Sequence, residues 1–329
     1  MTMSGSIKTA VVQFQHQAGN KKYNLMMMEG FIQQAAINGV QILAFPEMCI
    51  TGYWHVPKLD NDGVAALAES VETGSSVRLI RKLAVKHQML IGAGFIERGD
   101  DGRLYNAYAA CMPDGSVHTH RKMHAFEHPS ISCGDAYTVF DTPWGVKVGI
   151  LICWDNNLVE NARATALLGA DILLAPHQTG GTNSRSPHGM KPIPLELWQQ
   201  RATRQEEITA AFKGASGREW LMRWLPSRAH DNGMFILFSN GVGADDDEVR
   251  TGNTMIIDPY GRIVEETWVA ADAMVSAELD LSLIPMSTGR RWMAGRRPDL
   301  YHILTERQGY ERDAITARFS EELPGIKTR

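Results

Sequence analysis

Three residues of this 329-residue chain carry chemistry in suggestive places. Cys153 ends the apolar, β-branched run Val146 to Ile152 and so stands at the exit of a predicted buried strand. In the segment that follows, Asn156 to Gly169, Val159, Ala162, Ala166 and Leu167 fall at helical spacing. A cysteine between a strand and a helix start meets free backbone N–H groups and a positive helix end. Both can favour a thiolate and bind a developing oxyanion. Glu47 follows the short strand Gln41 to Phe45, which Pro46 stops, and Lys122 ends an alternating run that begins at Val117. Singly, such residues are more often a packed cysteine and two solvated charges. Together they place an acid/base, a cation and a thiol at three strand ends. Such ends converge on the carboxyl edge of a sheet, where α/β sites are commonly built.

The blocks around these residues, FPEMCITGY, HRKMH and CWDNNLVENAR, resemble, in the same order, the three signature blocks of the nitrilase superfamily of carbon–nitrogen hydrolases. The resemblance continues through Arg228-Ala-x-x-Asn232, Gly252 to Gly261 and Arg296 to Tyr301, so it covers most of the chain. It implies a four-layer α-β-β-α sandwich, with two sheets face to face and helices over both outer faces. It implies a single hydrolase domain over residues 1–329, a catalytic set of Glu47, Lys122 and Cys153, and neither cofactor nor metal. Its members usually assemble, so a homodimer or larger homo-oligomer is expected.

An amide carbon is a poor electrophile, and its hydrolysis needs a strong nucleophile, an oxyanion stabiliser and a proton for the leaving nitrogen. The Cys153 thiolate meets the first need and Glu47 the last, as base and then acid. Lys122 and the Trp154 backbone N–H would hold the oxyanion. The resemblance implies the same three roles. The CWD at Cys153 looks closer to the amidase and carbamoyl-amide branches than the CWE usual in nitrilases. A small amide or N-carbamoyl compound is therefore the expected substrate, with nitrile hydrolysis the alternative.

One departure stands out. Many members carry a second glutamate several residues after the lysine, whereas here Glu127 is the only acid before Asp135 and its spacing is short. Either Glu127 takes that role through a rearranged loop or the role is absent. Tyr53, Trp154, Asp155 and His177 are further candidates for substrate contact. Asp155 could instead cap the following helix, and His177 could simply pack.

Alternating strands and helices must position these groups. Strands are expected at Lys8 to Phe14, Val40 to Phe45, Met89 to Glu97, Leu104 to Met112 and Asp171 to Pro176. Helices are expected at Asn20 to Asn38 and at Ser75 to His87, the latter capped by Glu72 or Thr73. Between 178 and 232 the alternation lapses, which predicts an insertion near the active site with helices over 195–212 and 217–225. Its basic residues, among them Arg185, Arg201, Arg204, Arg223 and Arg228, could pair with a substrate carboxylate. Gly243 to Glu248 reads as a solvated turn.

Composition bounds the rest. With 44% hydrophobic residues the chain can bury a large core, and a net charge of −4 offers no general affinity for nucleic acid or acidic membranes. No apolar run approaches the ~20 residues that span a bilayer, and the first residues lack a signal-peptide core, so a cytoplasmic protein is expected. The four cysteines form no framework. Two rival readings remain: a metal-dependent hydrolase using His118, His120, His124 and His128, and a binding or filament protein that keeps the fold without catalysis.

Overall fold

In a computed structural model of the chain, which describes residues 5–320, two β-sheets lie face to face between helices. The first sheet runs, in spatial order, through Ala273–Asp280, Ser6–Gln13, Ile42–Ala44, Leu90–Arg98, Leu104–Cys111 and Val117–Arg121, with Ile131–Ser132 beside Leu104–Cys111. The second runs through Ile263–Glu266, Met255–Ile257, Phe235–Asn240, Ile172–His177, Lys147–Ile150 and Thr138–Asp141. In each, three central strands are parallel and the flanking ones antiparallel.

The period-2 alternation of a strand explains the layering. Ile7, Val11, Ile42 and Ala44 point inward and meet Val148, Ile150, Ile172, Leu174 and Leu237 of the facing sheet. The intervening residues Ala10, Val12, Leu43 and Phe45 point outward, against Met28, Ile32 and Ala35 of the helix Lys21–Ile37 and Val77, Ile80 and Leu83 of the helix Ser75–His87. On the other side Leu173, Ala175 and Ile236 pack against Ala162 and Ala166 of the helix Val159–Leu167 and Leu225 and Ala229 of the helix Leu225–His230. The four-layer α-β-β-α sandwich is therefore present, with one core between the sheets and one under each helical layer.

Local expectations need four adjustments. The strand before the nucleophile ends at Ile150, and a 3-10 turn over Cys153–Asn157 precedes the helix, which starts only at Val159. The helix Ser75–His87 has Gly74 at its N-cap, and the free N–H of Ser76 is met by Glu69 Oε2 at 2.8 Å, not by Glu72 or Thr73. The helix expected over 195–212 splits into Leu195–Gln199 and Gln205–Lys213. The solvated turn expected over Gly243 to Glu248 is confined to Asp246 and Asp247, the exposed tip of the hairpin Val242–Asp245 and Glu248–Thr251, in which Asp245, Glu248 and Arg250 are buried.

Candidate active site

Glu47, Lys122 and Cys153 each stand just past the carboxyl end of a strand, and the sandwich brings all three together. After Ile42–Ala44 the chain turns sharply, with Met48 in the left-handed region at φ 44°. This turn lies so close on Leu90–Arg98 that a side chain at Gly94 would put a Cβ 2.2 Å from the Met48 nitrogen. Lys122 follows Val117–Arg121 and is fixed by its N–H to the Asn106 carbonyl at 2.8 Å. Cys153 opens the 3-10 turn with φ 48°, again left-handed. Asn156 Nδ2 ties that turn back to the Leu151 carbonyl at 2.7 Å. Arg228 spans its end, with Nε donating to Asn156 O and Nη2 to Asn157 O, both at 2.8 Å.

Glu47 and Lys122 are fully buried, and Cys153 is 8% exposed at the floor of a pocket. Lys122 Nζ donates to Glu47 Oε1 at 2.8 Å and also to Glu127 Oε1. Asn106, midway along Leu104–Cys111, donates to the same two oxygens at 2.7 and 3.1 Å. Tyr53 Oη reaches Glu127 Oε1 at 3.4 Å, and the Phe126 N–H donates to Glu127 Oε2 at 3.1 Å. The short spacing from Lys122 therefore does bring Glu127 to the ammonium. Among the described residues Glu47 Oε2 has no hydrogen-bond partner and is buried, which leaves it free to exchange a proton.

One ammonium among two carboxylates and a thiol sets the electrostatics. Burial raises the Glu47 carboxyl to about 7, against the pull of Lys122, with Glu127 adding to the rise. Burial works against the Lys122 ammonium, but Glu127 and Glu47 outweigh it and hold its pKa well above the ordinary value. Burial, then Glu47, push the Cys153 thiol far up, and Lys122 offsets this only in part. The expectation that the turn would favour a thiolate is thus corrected. The resting sulfur is a thiol, because burial disfavours its charge and the neighbouring Glu47 adds to that.

The other candidates divide. Tyr53, Trp154 and His177 line the pocket, whose volume is about 580 Å³. Burial, then Lys122, lower His177 to about 3, so it is a neutral imidazole; its Nε2 accepts from Asn156 Nδ2 at 3.2 Å. Asp155 does not face the pocket. Fully buried, it accepts from the N–H groups of Met123, His124 and Ile152 at 3.2, 3.0 and 3.2 Å and pairs with His124 Nδ1 at 2.8 Å. It caps the nucleophile turn by accepting the Ile152 N–H, as expected, and also bolts the lysine loop to that turn; it is not a substrate contact.

The four histidines of the metal reading are engaged elsewhere. His118 stacks on Phe140 with centroids 4.1 Å apart, His120 and His124 face Asp155, and His128 Nε2 lies 3.0 Å from Leu59 O. Sequence reasoning missed Asn106, and also Gln178, whose side chain donates to the Glu47 carbonyl at 2.7 Å while its backbone N–H faces the Cys153 sulfur. It also missed a buried wall of the pocket. There Arg250 Nε meets Asp245 Oδ2 at 2.9 Å, beneath the rings of Tyr53 and Trp54. Of the basic residues in 178–232, Arg204 pairs with Glu207, Arg201 lies over Trp198, and Arg228 braces the nucleophile turn.

A two-sheet sandwich with a carboxylate, an ammonium and a thiol gathered at its strand ends defines a class of hydrolase. The chain belongs to the carbon–nitrogen hydrolase family, whose model matches residues 8–285. It is 31% identical to a citrullinase from Francisella tularensis subsp. tularensis, over 90% of this chain and 97% of that protein. It is 29% identical to an (R)-stereoselective amidase from Pseudomonas sp., over 87% and 88%. Among solved structures it resembles a carbon–nitrogen hydrolase from Helicobacter pylori G27, with a TM-score of 0.73 at 23% identity over 92% of this chain and 99% of that one. A variant of the amidase from Nesterenkonia sp. AN1, solved with the acetamide moiety of fluoroacetamide covalently added at its active-site cysteine, shares the fold. There the TM-score is 0.66 at 17% identity, over 90% and 96% of the two chains. These relatives support the amidase-like branch of the nitrilase superfamily.

Proposed function

We propose that the protein hydrolyses the C–N bond of a small linear amide or N-carbamoyl compound through a thioester on Cys153. The observation that carries this reading is the Lys122 ammonium, held between Glu47 and Glu127 beside the Cys153 sulfur. Because the resting sulfur is protonated, attack is coupled to proton transfer. Glu47 takes the thiol proton as sulfur bonds to the carbonyl carbon. The oxyanion that forms is met by Lys122 and by the Trp154 N–H, an early donor of a 3-10 turn with no partner inside that turn. Glu47 then passes its proton to the nitrogen, the C–N bond breaks, and ammonia or an amine leaves. In the second half Glu47 takes a proton from water as the oxygen attacks the thioester. The acid departs, a carbamic acid where the substrate is a ureide, and the sulfur regains the proton. Glu127, hydrogen-bonded to the ammonium, holds Lys122 in place.

Citrullinase and amidase relatives support the substrate class, a ureide or amide. Half-exposed Val159, Leu167 and Leu168 on the nucleophile-side helix support self-association through that face. The test is an ammonia-release screen of purified protein against amides, N-carbamoyl amino acids and nitriles. Turnover of nitriles alone would replace the amidase reading with a nitrilase. No ammonia from any of them would remove the reading.

A further inference from the structure

Amide hydrolysis as proposed above assigns only the reacting end of the substrate, and the inference that follows rests on that reading. Three guanidinium groups line the pocket. Arg250 is held by two carboxylates, with Nε 2.9 Å from Asp245 and Nη1 2.7 Å from Glu248. Arg223 pairs with Glu219 at 2.8 Å and donates to the His188 carbonyl at 2.7 Å. Arg318 is different. Its Nη1 donates to Asn183 O at 2.9 Å and its Nη2 to Thr182 Oγ1 at 3.2 Å, both neutral acceptors. Among the described residues no carboxylate forms an ion pair with it.

Its placement is built. The short helix Ala314–Phe319, capped by Asp313 Oδ1 on the Thr316 N–H at 2.8 Å, lays Arg318 and Phe319 against the Phe126 ring, at 5.8 and 6.2 Å. The Lys122 ammonium lies 4.4 Å from the same ring. Both cations lean on Phe126, and Arg318, Phe126 and Cys153 line the same pocket, so the guanidinium and the nucleophile open on one space. Burial lowers the Arg318 pKa, while Tyr53, Glu248 and Cys153 offset part of that. A guanidinium has five N–H donors, of which two are engaged among the described residues, so its fork can still meet a carboxylate.

We propose that Arg318 is a specificity residue, whose guanidinium takes a carboxylate at the end of the substrate remote from the scissile bond. The preferred substrates are then short amides or ureides that end in a carboxylate.

The test compares kcat/KM for two series of equal length: succinamic, glutaramic and adipamic acids, and the methyl-terminated butyramide, valeramide and hexanamide. In the wild type the acids are preferred. In Arg318→Gln the ratio of acid to methyl-terminated kcat/KM falls ~10- to 100-fold, the range for losing a charged hydrogen-bonded contact, and Arg318→Lys restores part of it. An unchanged ratio, with both series losing rate together, would mark Arg318 as a structural prop and overturn the proposal. A wild-type preference for the methyl-terminated series would do the same. Calorimetry of glutaramic acid binding to Cys153→Ala reads the contact without turnover. If the hydrolase reading fails, binding weakened by Arg318→Gln in that background still upholds the carboxylate subsite; absence of binding overturns it.

Discussion

Replacing Glu47 by glutamine should inactivate the enzyme and, above neutral pH, make it more stable. The carboxyl moves from 4.5 in the open chain to about 7 in the fold, because burial disfavours its charge more than Lys122 favours it. A raised pKa means that the folded protein holds this proton more tightly than the unfolded one. The associated stability is fully present below about 4.5 and lost as pH climbs through about 7. Two and a half powers of ten in proton affinity, at 1.36 kcal/mol each, come to ~3 kcal/mol, of which ~2 kcal/mol falls between about pH 5.5 and 8.5. Glutamine keeps the acceptor that Lys122 and Asn106 use at Oε1 and carries no charge, so its stability has no such slope. Urea unfolding of both proteins across that range, read as a difference, removes titrations they share. The difference should grow in favour of Glu47→Gln by ~2 kcal/mol, while ammonia release falls by a factor of ~10² to 10⁴, as for loss of a general acid–base. A flat difference, or one that moves against glutamine as pH rises, would refute the account of Glu47 as a carboxyl strained by burial.

Cys153→Ala and Cys153→Ser should abolish turnover with unchanged circular dichroism. Adding Lys122→Ala, itself severely impaired, should cost little more, since the groups act as a unit. The kcat/KM of the wild type should rise with pH through about 7, as Glu47 loses the proton it must lack to act as base, and stopped-flow or end-point ammonia assays would show that limb. Asp155→Ala should lower the unfolding free energy by ~3 kcal/mol or more, because it strands three backbone N–H groups and a histidine, and should leave KM nearly unaltered in whatever protein still folds. Light scattering should give a mass above that of one chain, and a charged substitution at Leu167 should reduce it.

What the sequence made legible was the part governed by local period. The stripe Val77, Ile80, Leu83 and Ala84 marks the helix Ser75–His87 to the residue, and three strand ends mark Glu47, Lys122 and Cys153. What it hid depends on contacts between distant segments. Asn106 sits in a strand whose eight residues are all buried, and only the facing carboxylates explain an amide there. The acidic run at Asp245 to Glu248 looks solvated until the hairpin pairs Gly243 with Arg250 and His16 closes on Asp245 at 2.9 Å. Arg228 was visible as part of a familiar block, but its task of holding the carbonyls of Asn156 and Asn157 was not. The thiol state of Cys153 was misjudged for the same reason. A helix end is a local feature, whereas the two glutamates that oppose ionisation arrive from the other sheet.

The left-handed backbone at Cys153 bears on how such a chain changes over generations. A residue with a side chain held at positive φ costs ~1–3 kcal/mol, and glycine at that place would release it. The nucleophile therefore carries a backbone strain that it shares with Met48 on the glutamate turn. A lineage that retained this sandwich only as a scaffold would relieve that strain by drifting to glycine there, at the cost of the contacts the buried side chain makes in the core between the sheets.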